Sequence, residues 1–226
     1  MKKNKITDVF FDLDHTLWDF EKNSRLTFET IFEELQIQSI IEDFIQAYVP
    51  TNFKYWKLFR NDEISKEDLR YYRLKDTFSL FNYPASDELI HSISNKYINQ
   101  LSLQTHLFPG THELLQCLKT KYRLHIITNG FDEVQYKKIS RSGLESYFST
   151  ITTSEDINLK KPNPKVFLHA LEKAKTKPEQ SVMVGDNLEA DVNGALQVGM
   201  QAIYFGEEDY EGWKTNQLIE IKNILG

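Results

Sequence analysis

Short apolar runs and helical repeats alternate along most of the chain. Runs of β-branched and aromatic residues bounded by turn residues are typical of buried strands, and they predict strands at residues 9–11, 123–128, 148–152, 181–184 and 201–204. Between the later runs, apolar residues recur at intervals of three and four, which predicts helices at residues 111–121, 131–142, 164–175, 188–198 and 215–225. Strands separated by helices of this length predict a parallel sheet with helices on both faces.

The stretch between the first strand and the rest of the chain is helical throughout. Its pattern predicts helices at residues 20–35, 40–50, 53–59, 66–80 and 87–101. Pro50 lacks an amide hydrogen and should end the second of these helices, whereas Ser86 is a good N-cap for the last one. We therefore expect an α/β core made of residues 1–17 and 107–226, with residues 18–106 inserted into it as an all-helical cap domain.

Composition and charge indicate an ordinary globular protein. The chain has 226 residues, of which 40% are hydrophobic and 27% charged, and this length suffices for one sizeable core with an accessory domain. The net charge of -6 arises from 27 basic and 33 acidic residues, without long blocks of one sign. Because a basic stripe is the usual footprint of nucleic-acid binding, we do not expect a nucleic-acid polymer as a partner.

The cysteine content and the hydropathy indicate the compartment. Cys117 is the only cysteine, which excludes an intramolecular disulfide, and its place among leucines predicts a buried helical position. The basic start at Lys2, Lys3 and Lys5 is followed by an apolar segment that aspartates interrupt, unlike a signal peptide. No apolar run is long enough to span a membrane. We expect a soluble cytoplasmic protein, and the sequence leaves its oligomeric state open.

Polar residues suited to catalysis follow three of the predicted strands. They are Asp12 and Asp14 after the first, Thr128 and Asn129 after the second, and Asp186 with Asp191 after a later one. Any one of them alone has simpler explanations, because an Asp-x-Asp triplet occurs by chance and Asn187 or Ser181 would serve as a helix N-cap. Polar ends of three parallel strands at one edge indicate a shared binding site instead. Two clustered carboxylates suit a hard cation such as Mg²⁺, and one of them can also attack phosphorus.

Four stretches of the chain resemble the ordered motifs of the haloacid dehalogenase superfamily. They are Asp12-Leu13-Asp14-His15-Thr16, Ile127-Thr128-Asn129-Gly130, Lys160-Lys161-Pro162-Asn163-Pro164 and Gly185-Asp186-Asn187-Leu188-Glu189-Ala190-Asp191. The helical insertion after the first motif resembles the superfamily's C1 cap, and the resemblance implies a Rossmann-like sheet for the core. Within the superfamily, residues 126–131, 52–56 and 60–64 are most similar to bacterial pyrimidine 5′-nucleotidases.

The resemblance implies a role for each residue of the first motif. Asp12 would be the nucleophile that forms an aspartyl-phosphate, and Asp14 would be the general acid and then the general base. The superfamily's pattern gives Mg²⁺ to the Asp12 carboxylate, the Asp14 backbone carbonyl and Asp186. Mg²⁺ is therefore the expected cofactor.

The resemblance implies that residues of the later motifs bind the phosphate group. The Thr128 hydroxyl and the backbone N–H of Asn129 would hold phosphoryl oxygens, and Lys161 would neutralise the charge on them. Asp191 and Asn187 would lie behind these groups, with Asp191 orienting Lys161 or a metal-bound water.

Two choices follow from comparing the motifs. Lys160 competes with Lys161 for the lysine role, and we prefer Lys161 because it directly precedes a proline, as in the superfamily's motif. Asp14 separates two classes of enzyme, because the superfamily's dehalogenases lack this second acid. Displacing a halide needs no proton for the leaving group, whereas a phosphate ester does. The resemblance thus implies a phosphohydrolase.

The expected substrate is a small phosphorylated metabolite, and we favour a pyrimidine nucleoside 5′-monophosphate. Aromatic residues are frequent in the helical insertion, and Asn52, Tyr55 and Trp56 are the candidates for contacting a base. Phosphoglycolate or a sugar phosphate is the alternative substrate. A non-catalytic protein that binds a phosphorylated ligand is an alternative of another class, but it should lack the nucleophile, the acid or the lysine, and none of these is missing.

Overall fold

The computed structural model describes residues 5–226, which form six strands and nine α-helices. The strands are β1 (Asp8–Phe11), β2 (Arg123–Thr128), β3 (Phe148–Thr153), β4 (Ser181–Gly185), β5 (Gln201–Phe205) and β6 (Trp213–Thr215). The helices are α1 (Phe20–Glu34), α2 (Ile41–Arg60), α3 (Lys66–Leu80), α4 (Asp87–Gln100), α5 (Thr111–Leu118), α6 (Asp132–Arg141), α7 (Pro164–Ala174), α8 (Gly194–Gln197) and α9 (Ile221–Leu225). A π-helical turn at Leu188–Asn193 leads into α8.

The strands form one parallel sheet in the order β3-β2-β1-β4-β5-β6. The central strand β1 pairs with β2 on one side and with β4 on the other. Strand order reverses at β1, and open α/β sheets bind ligands outside the carboxyl ends of the strands at such a switch point. The predicted Rossmann-like α/β fold is confirmed.

The core holds these strand ends in place. All four residues of β1 are buried, as expected for a parallel sheet covered on both faces. Phe10, Ile127 and Met183 from three neighbouring strands belong to one buried cluster with Val166 and Phe167 of α7. Close packing of this kind resists small displacements, so the residues that follow β1, β2 and β4 start from fixed positions.

The chain divides into two compact units. Among the described residues, the first unit, called the sheet unit, comprises residues 5–20 together with Thr105–Gly226, and the second, called the helical unit, is Glu21–Gln104. The predicted boundaries, at residues 17/18 and 106/107, differ from these by only a few positions.

The two segments of the sheet unit that flank the helical unit are hydrogen-bonded to each other. Asp19 N donates to the His106 carbonyl at 3.1 Å, and Phe108 N donates to the Leu17 carbonyl at 3.0 Å. We call these paired segments, residues 17–19 and 106–108, the neck. Through the neck the chain leaves the sheet unit and returns to it at one place.

Aromatic rings form the core of the helical unit. Phe28 of α1 stacks on Tyr97 of α4 with 4.5 Å between ring centroids, and it meets Phe44 and Tyr48 of α2 edge to face at 4.8 and 4.7 Å. All four rings are buried. Most aromatic residues of this unit were expected to pack in this way, because a helical bundle must bury an apolar face.

Helix α2 runs through Pro50, so the predicted helix break at that residue is wrong. Phe44, Tyr48, Thr51 and Tyr55 recur at helical spacing on both sides of the proline, and all are buried. A proline inside a helix removes one hydrogen bond and costs about 3 kcal/mol or more. The continuous buried face offsets that cost, because burying one large side chain contributes about 1.5–3 kcal/mol.

The last residues also depart from the prediction of a helix over 215–225. Strand β6 extends the sheet, with Thr215 opposite Phe205, and only Ile221–Leu225 is α-helical. Gln217 N donates to Thr215 Oγ1 at 3.1 Å. Side-chain bonds of this kind compete with helix formation, so the chain turns here before α9 begins.

Two expectations drawn from composition can be compared with the structure. Cys117 is exposed, so its predicted burial is wrong: α5 buries Leu114, Leu115 and Leu118, and Cys117 falls on the other side of the helix. Among residues 5–226, none of the helices is both long and apolar enough to cross a membrane.

Replacing Phe28 by alanine should destabilise the protein by about 3–5 kcal/mol, because it removes a ring that four other aromatic side chains contact and leaves a cavity. Urea unfolding of the full chain measures the change. Phe53→Ala is the matched control, since Phe53 is 50% exposed and its loss should cost less than about 1 kcal/mol. Equal losses in the two variants would contradict the assignment of Phe28 to the core.

Candidate active site

Strand β1 brings its carboxyl end into the site. Asp12 follows β1 directly and extends its pairing, because Asp12 N donates to the Val184 carbonyl at 2.9 Å. Leu13 is fully buried in the core. The chain then turns back, since Trp18 N donates to the Leu13 carbonyl at 2.8 Å. This turn holds the segment that carries Asp14.

A buried lysine lies at the centre of the site. Lys161 is 2% exposed, and its ammonium donates to Asp12 Oδ1 at 2.6 Å, Asp191 Oδ1 at 2.6 Å and the Ile127 carbonyl at 2.7 Å. An ammonium has three protons to donate, so these acceptors satisfy it. One acceptor belongs to β2 and the others follow β1 and β4, so a single cation links the ends of three strands.

Asn129 fixes the segment that carries Lys161. Its side-chain Oδ1 accepts a hydrogen bond from Lys161 N at 2.8 Å, and its Nδ2 donates to the Lys161 carbonyl at 3.0 Å. This contact joins the end of β2 to the segment before α7. The sequence predicted only that the backbone N–H of Asn129 binds phosphate. The structure shows in addition that its side chain positions the segment of Lys161.

Asp191 is held by the turn that follows β4. Its Oδ2 accepts from Asn187 N at 3.0 Å, and Asn187 Oδ1 caps the next turn by accepting from Ala190 N at 2.8 Å. Gly185 leaves the space for this carboxylate, because a Cβ there would lie 2.3 Å from Asp191 Oδ2. Asn187 therefore acts as an N-cap and also lies directly behind Asp191.

Three carboxylates of the site can hold a metal ion together. Asp12, Asp186 and Asp191 each offer an oxygen, and these oxygens lie within 4.8 Å of one another. Thr16 Oγ1 donates to Asp186 Oδ1 at 3.3 Å, a contact that was not predicted. Carboxylate oxygens are hard ligands, so the donor set fits a divalent cation such as Mg²⁺ or Ca²⁺ better than a softer metal.

Burial and the repulsion of neighbouring carboxylates make Asp12 and Asp186 hard to ionise. Burial raises the pKa of Asp12 to about 7, against the attraction of Lys161 and with the help of the nearby Asp191 charge. Burial likewise raises the pKa of Asp186 well above its usual range, and the charges on Asp12 and Asp191 add to the effect. Burial opposes the charge on Lys161, but its carboxylate neighbours keep its pKa above the ordinary value.

Two residues of α6, Gln135 and Lys138, also contribute side chains to the site, and neither was predicted from the sequence. Lys138 Nζ donates to Asp14 Oδ1 at 2.6 Å, and Gln135 Nε2 donates to Asp14 Oδ2 at 2.9 Å. The signal in the sequence was weak, because a polar pair three positions apart on a helix is usually a solvated face. The only indication in the sequence was that this pair lies in the helix that follows the second motif.

The Thr128 hydroxyl is oriented as a donor. Its oxygen accepts hydrogen bonds from Gln135 Nε2 at 2.8 Å and from Gly130 N at 3.2 Å. A hydroxyl oxygen has two lone pairs, so these bonds leave its own proton to donate. A proton held in this way suits an anionic oxygen, the kind of ligand predicted for Thr128.

The residues predicted to select the substrate lie in the helical unit. Asn52 is 2% exposed, and its Oδ1 accepts from Arg73 Nη1 at 3.0 Å. Tyr55 is buried and donates to Asp76 Oδ2 at 2.6 Å, whereas Trp56 is partly exposed. These bonds engage Asn52 and Tyr55 within the helical unit, and contact of all three residues with a substrate stays a prediction.

With divalent cations removed, the stability of the protein relative to an Asp12→Asn variant should fall as the pH rises from about 5 to 8. The folded-state pKa of Asp12 is about 7, above the ordinary 3.8, so the folded chain binds this proton more tightly. Its stabilising contribution is complete below pH 3.8 and is lost as the pH rises through 7. The slope should be at most about 1.4 kcal/mol per pH unit.

Urea unfolding in chelator at several pH values measures this difference. Asp209→Asn, which removes an exposed carboxyl, is the control and should follow the wild type. A constant difference between wild type and Asp12→Asn across this range would show that the carboxyl is not perturbed.

Comparison with known proteins agrees with the geometry. A family model described as haloacid dehalogenase-like hydrolase matches residues 9–205. The crystal structure of the HAD-hydrolase YfnB from Bacillus subtilis, bound to magnesium, has a TM-score of 0.88 with this fold. Its sequence is 26% identical, and the match covers 98% of this chain and 99% of that chain.

Two curated relatives match most of the chain. Pyrimidine 5′-nucleotidase YjjG of Escherichia coli (strain K12) is 30% identical over 96% of both proteins. The glyceraldehyde 3-phosphate phosphatase of Methanothermobacter thermautotrophicus is 32% identical over 88% of this chain and 85% of that protein. Because the family match spans the helical unit and all the site residues described above, the chain belongs to the haloacid dehalogenase-like hydrolases.

Proposed function

We propose that this chain is a phosphatase of small phosphoric monoesters that works through a covalent intermediate on Asp12. The observation that carries the proposal is the 2.6 Å contact between Asp12 and the buried Lys161 ammonium, beside Asp186 and Asp191. A carboxylate held next to fixed positive charge can accept a phosphoryl group whose own negative charge is neutralised there. Asp14 supplies the acid that an ester leaving group needs.

In the first step, the phosphoryl group moves from the substrate to Asp12. Lys161 holds Oδ1 of Asp12, so we assign the attack on phosphorus to Oδ2. The bond between phosphorus and the ester oxygen breaks as the bond to Asp12 forms, and Asp14 gives its proton to the departing oxygen. The products are an alcohol and an aspartyl-phosphate.

In the second step, water removes the phosphoryl group. Asp14, now a carboxylate, takes a proton from the water that attacks phosphorus. The bond to Asp12 breaks, phosphate is released, and both carboxyls return to their starting states. The Thr128 hydroxyl, the Asn129 backbone N–H and the positive charge of Lys161 would stabilise the phosphoryl oxygens during both steps.

We assign Mg²⁺ to the Asp12 and Asp186 carboxylates and the Asp14 backbone carbonyl. The three clustered carboxylates support this assignment, because they gather more negative charge than Lys161 alone balances. When bound, the ion would supply positive charge beside the transferring phosphoryl group. Asp191 lies within reach of the same oxygens but is engaged by Lys161, so we assign it to holding the lysine.

A pyrimidine nucleoside 5′-monophosphate is the substrate we favour. Similarity to the nucleotidase YjjG over almost the whole chain supports it, and the partly exposed Trp56 of α2 offers a surface on which a base could stack. The comparable identity to a glyceraldehyde 3-phosphate phosphatase supports a sugar phosphate or phosphoglycolate as the alternative.

Phosphate release from nucleoside monophosphates, sugar phosphates and phosphoglycolate, with Mg²⁺ and with chelator, tests the reaction. We expect turnover only with Mg²⁺, highest for UMP, dUMP or dTMP, and a loss of at least about 10⁴-fold in Asp12→Asn, because the nucleophile is gone. Intact-mass spectrometry of acid-quenched enzyme should detect a phosphorylated Asp12.

The outcome of this assay distinguishes a nucleotidase from a sugar-phosphate phosphatase and from a binding protein. If a sugar phosphate is turned over fastest, the mechanism stands and the nucleotide assignment is wrong. If no ester is hydrolysed while a phosphorylated ligand still binds, the chain is a non-catalytic binding protein.

Trp56→Ala should lower kcat/KM for nucleotides about 10-fold relative to glyceraldehyde 3-phosphate, since stacking on a base contributes about 1–3 kcal/mol. Steady-state kinetics on both substrates measures this ratio. Phe53→Ala, which removes an exposed ring of the same helix, is the matched control and should leave the ratio unchanged. The same relative preference in Trp56→Ala as in wild type would remove Trp56 from the site.

A further inference from the structure

Two residues of α6 hold the Asp14 carboxyl by both of its oxygens. Lys138 donates to Oδ1 at 2.6 Å and Gln135 donates to Oδ2 at 2.9 Å. Gln135 and Lys138 are themselves 1% and 2% exposed. The side chain of Asp14, by contrast, remains 21% exposed. The Asp14 carboxyl is thus hydrogen-bonded to α6 on one side and accessible to solvent on the other.

The aromatic surroundings of Lys138 strengthen its ion pair with Asp14. Its ammonium lies 4.1 Å from the centre of the Trp18 ring and 5.2 Å from that of Phe20. Aromatic faces attract a cation but replace the water around it. The attraction between Lys138 and Asp14 is therefore screened less than that of a surface ion pair.

Gln135 connects Asp14 to the phosphate-binding end of β2. Its Nε2 donates to Asp14 Oδ2 and also to Thr128 Oγ1 at 2.8 Å. Gly130 leaves the space for this side chain, because a Cβ at that position would lie 2.3 Å from Gln135 Cδ. The amide therefore sets the orientation of the Asp14 carboxyl and of the Thr128 hydroxyl at the same time.

We propose that Gln135 and Lys138 are positioning residues that orient the Asp14 carboxyl for proton transfer to the leaving oxygen and from the attacking water. The proposal rests on the proposed function, since it requires Asp14 to be the general acid and base. Asp14 is the group that would touch the reacting atoms, and α6 acts through it.

This role predicts a loss of activity that depends on the leaving group. When an aliphatic ester is cleaved, the proton leaves Asp14 as the bond between phosphorus and oxygen breaks, and a neutral alcohol departs. A 4-nitrophenyl ester breaks the same bond but departs as a stable phenolate, so it needs little help from the acid. A misplaced Asp14 should therefore impair the first substrate much more than the second.

The test compares kcat/KM for 4-nitrophenyl phosphate and for the best aliphatic ester, because kcat/KM reports steps up to release of the leaving group. The variants are Lys138→Met and Gln135→Met, which keep side-chain length but lose the N–H donors. For the aliphatic ester we expect losses of about 10- to 100-fold in both variants, and for 4-nitrophenyl phosphate a loss of less than about 3-fold in Lys138→Met. Gln135→Met should lose more than this on 4-nitrophenyl phosphate, because Gln135 also orients Thr128, but still less than it loses on the aliphatic ester.

Controls address folding and charge. Lys137→Met removes the exposed neighbouring lysine and should change neither value. Lys138→Arg keeps a cation at this position and should recover part of the loss on the aliphatic ester, whereas a role in packing alone would give no such recovery. Circular dichroism and thermal unfolding establish that each variant is folded.

The outcomes distinguish this inference from the proposed function. Equal losses on both substrates, or none, in the Lys138 and Gln135 variants would overturn the positioning role, provided that Asp14→Asn loses mainly the aliphatic ester. If Asp14→Asn also loses both substrates equally, the assignment of Asp14 as general acid fails, and the positioning role fails with it.

Discussion

The buried ammonium of Lys161 is the interaction on which the site depends. Its acceptors lie in or after β1, β2 and β4, so it holds together the three adjacent strand ends that carry the chemistry. Removing one partner of a buried ion pair costs about 3–5 kcal/mol, because the remaining charge is left without compensation. Here the cation compensates two carboxylates, so the fold at this edge and the charge balance of the site are maintained by the same atom.

Charge is also what limits the site. Three carboxyls gathered beside one lysine repel one another. The pKa of Asp12 is raised mainly by burial, and this repulsion adds to the effect. A protein optimised only for stability would not bury these carboxyls together. Two glycines also serve the site. Gly130 leaves space for the side chain of Gln135 and Gly185 leaves space for that of Asp191, and a larger residue at either position would displace that side chain.

Prediction from sequence reached the parallel sheet and the residues that follow its strands, because buried strands have an unmistakable apolar pattern and strand ends converge by geometry. It was wrong where packing overrides local propensity, as at Pro50 inside α2, and where an edge strand as short as β6 has no pattern of its own. Gln135 and Lys138 were missed for a different reason: a polar pair on a helix looks the same whether it faces water or a carboxyl, and only the three-dimensional placement of α6 decides which.

The neck separates the size of the insertion from the integrity of the sheet. Because residues 17–19 and 106–108 are hydrogen-bonded to each other, the sheet is connected to the same two points whatever lies between them. Lengthening a closed loop twofold costs only about 0.6 kcal/mol of chain entropy, so helices can be added to or removed from the insertion at little expense to the core. An evolving lineage could therefore exchange the whole helical unit, together with any preference it confers, while inheriting the carboxylates, the lysine and the strands beneath them unchanged.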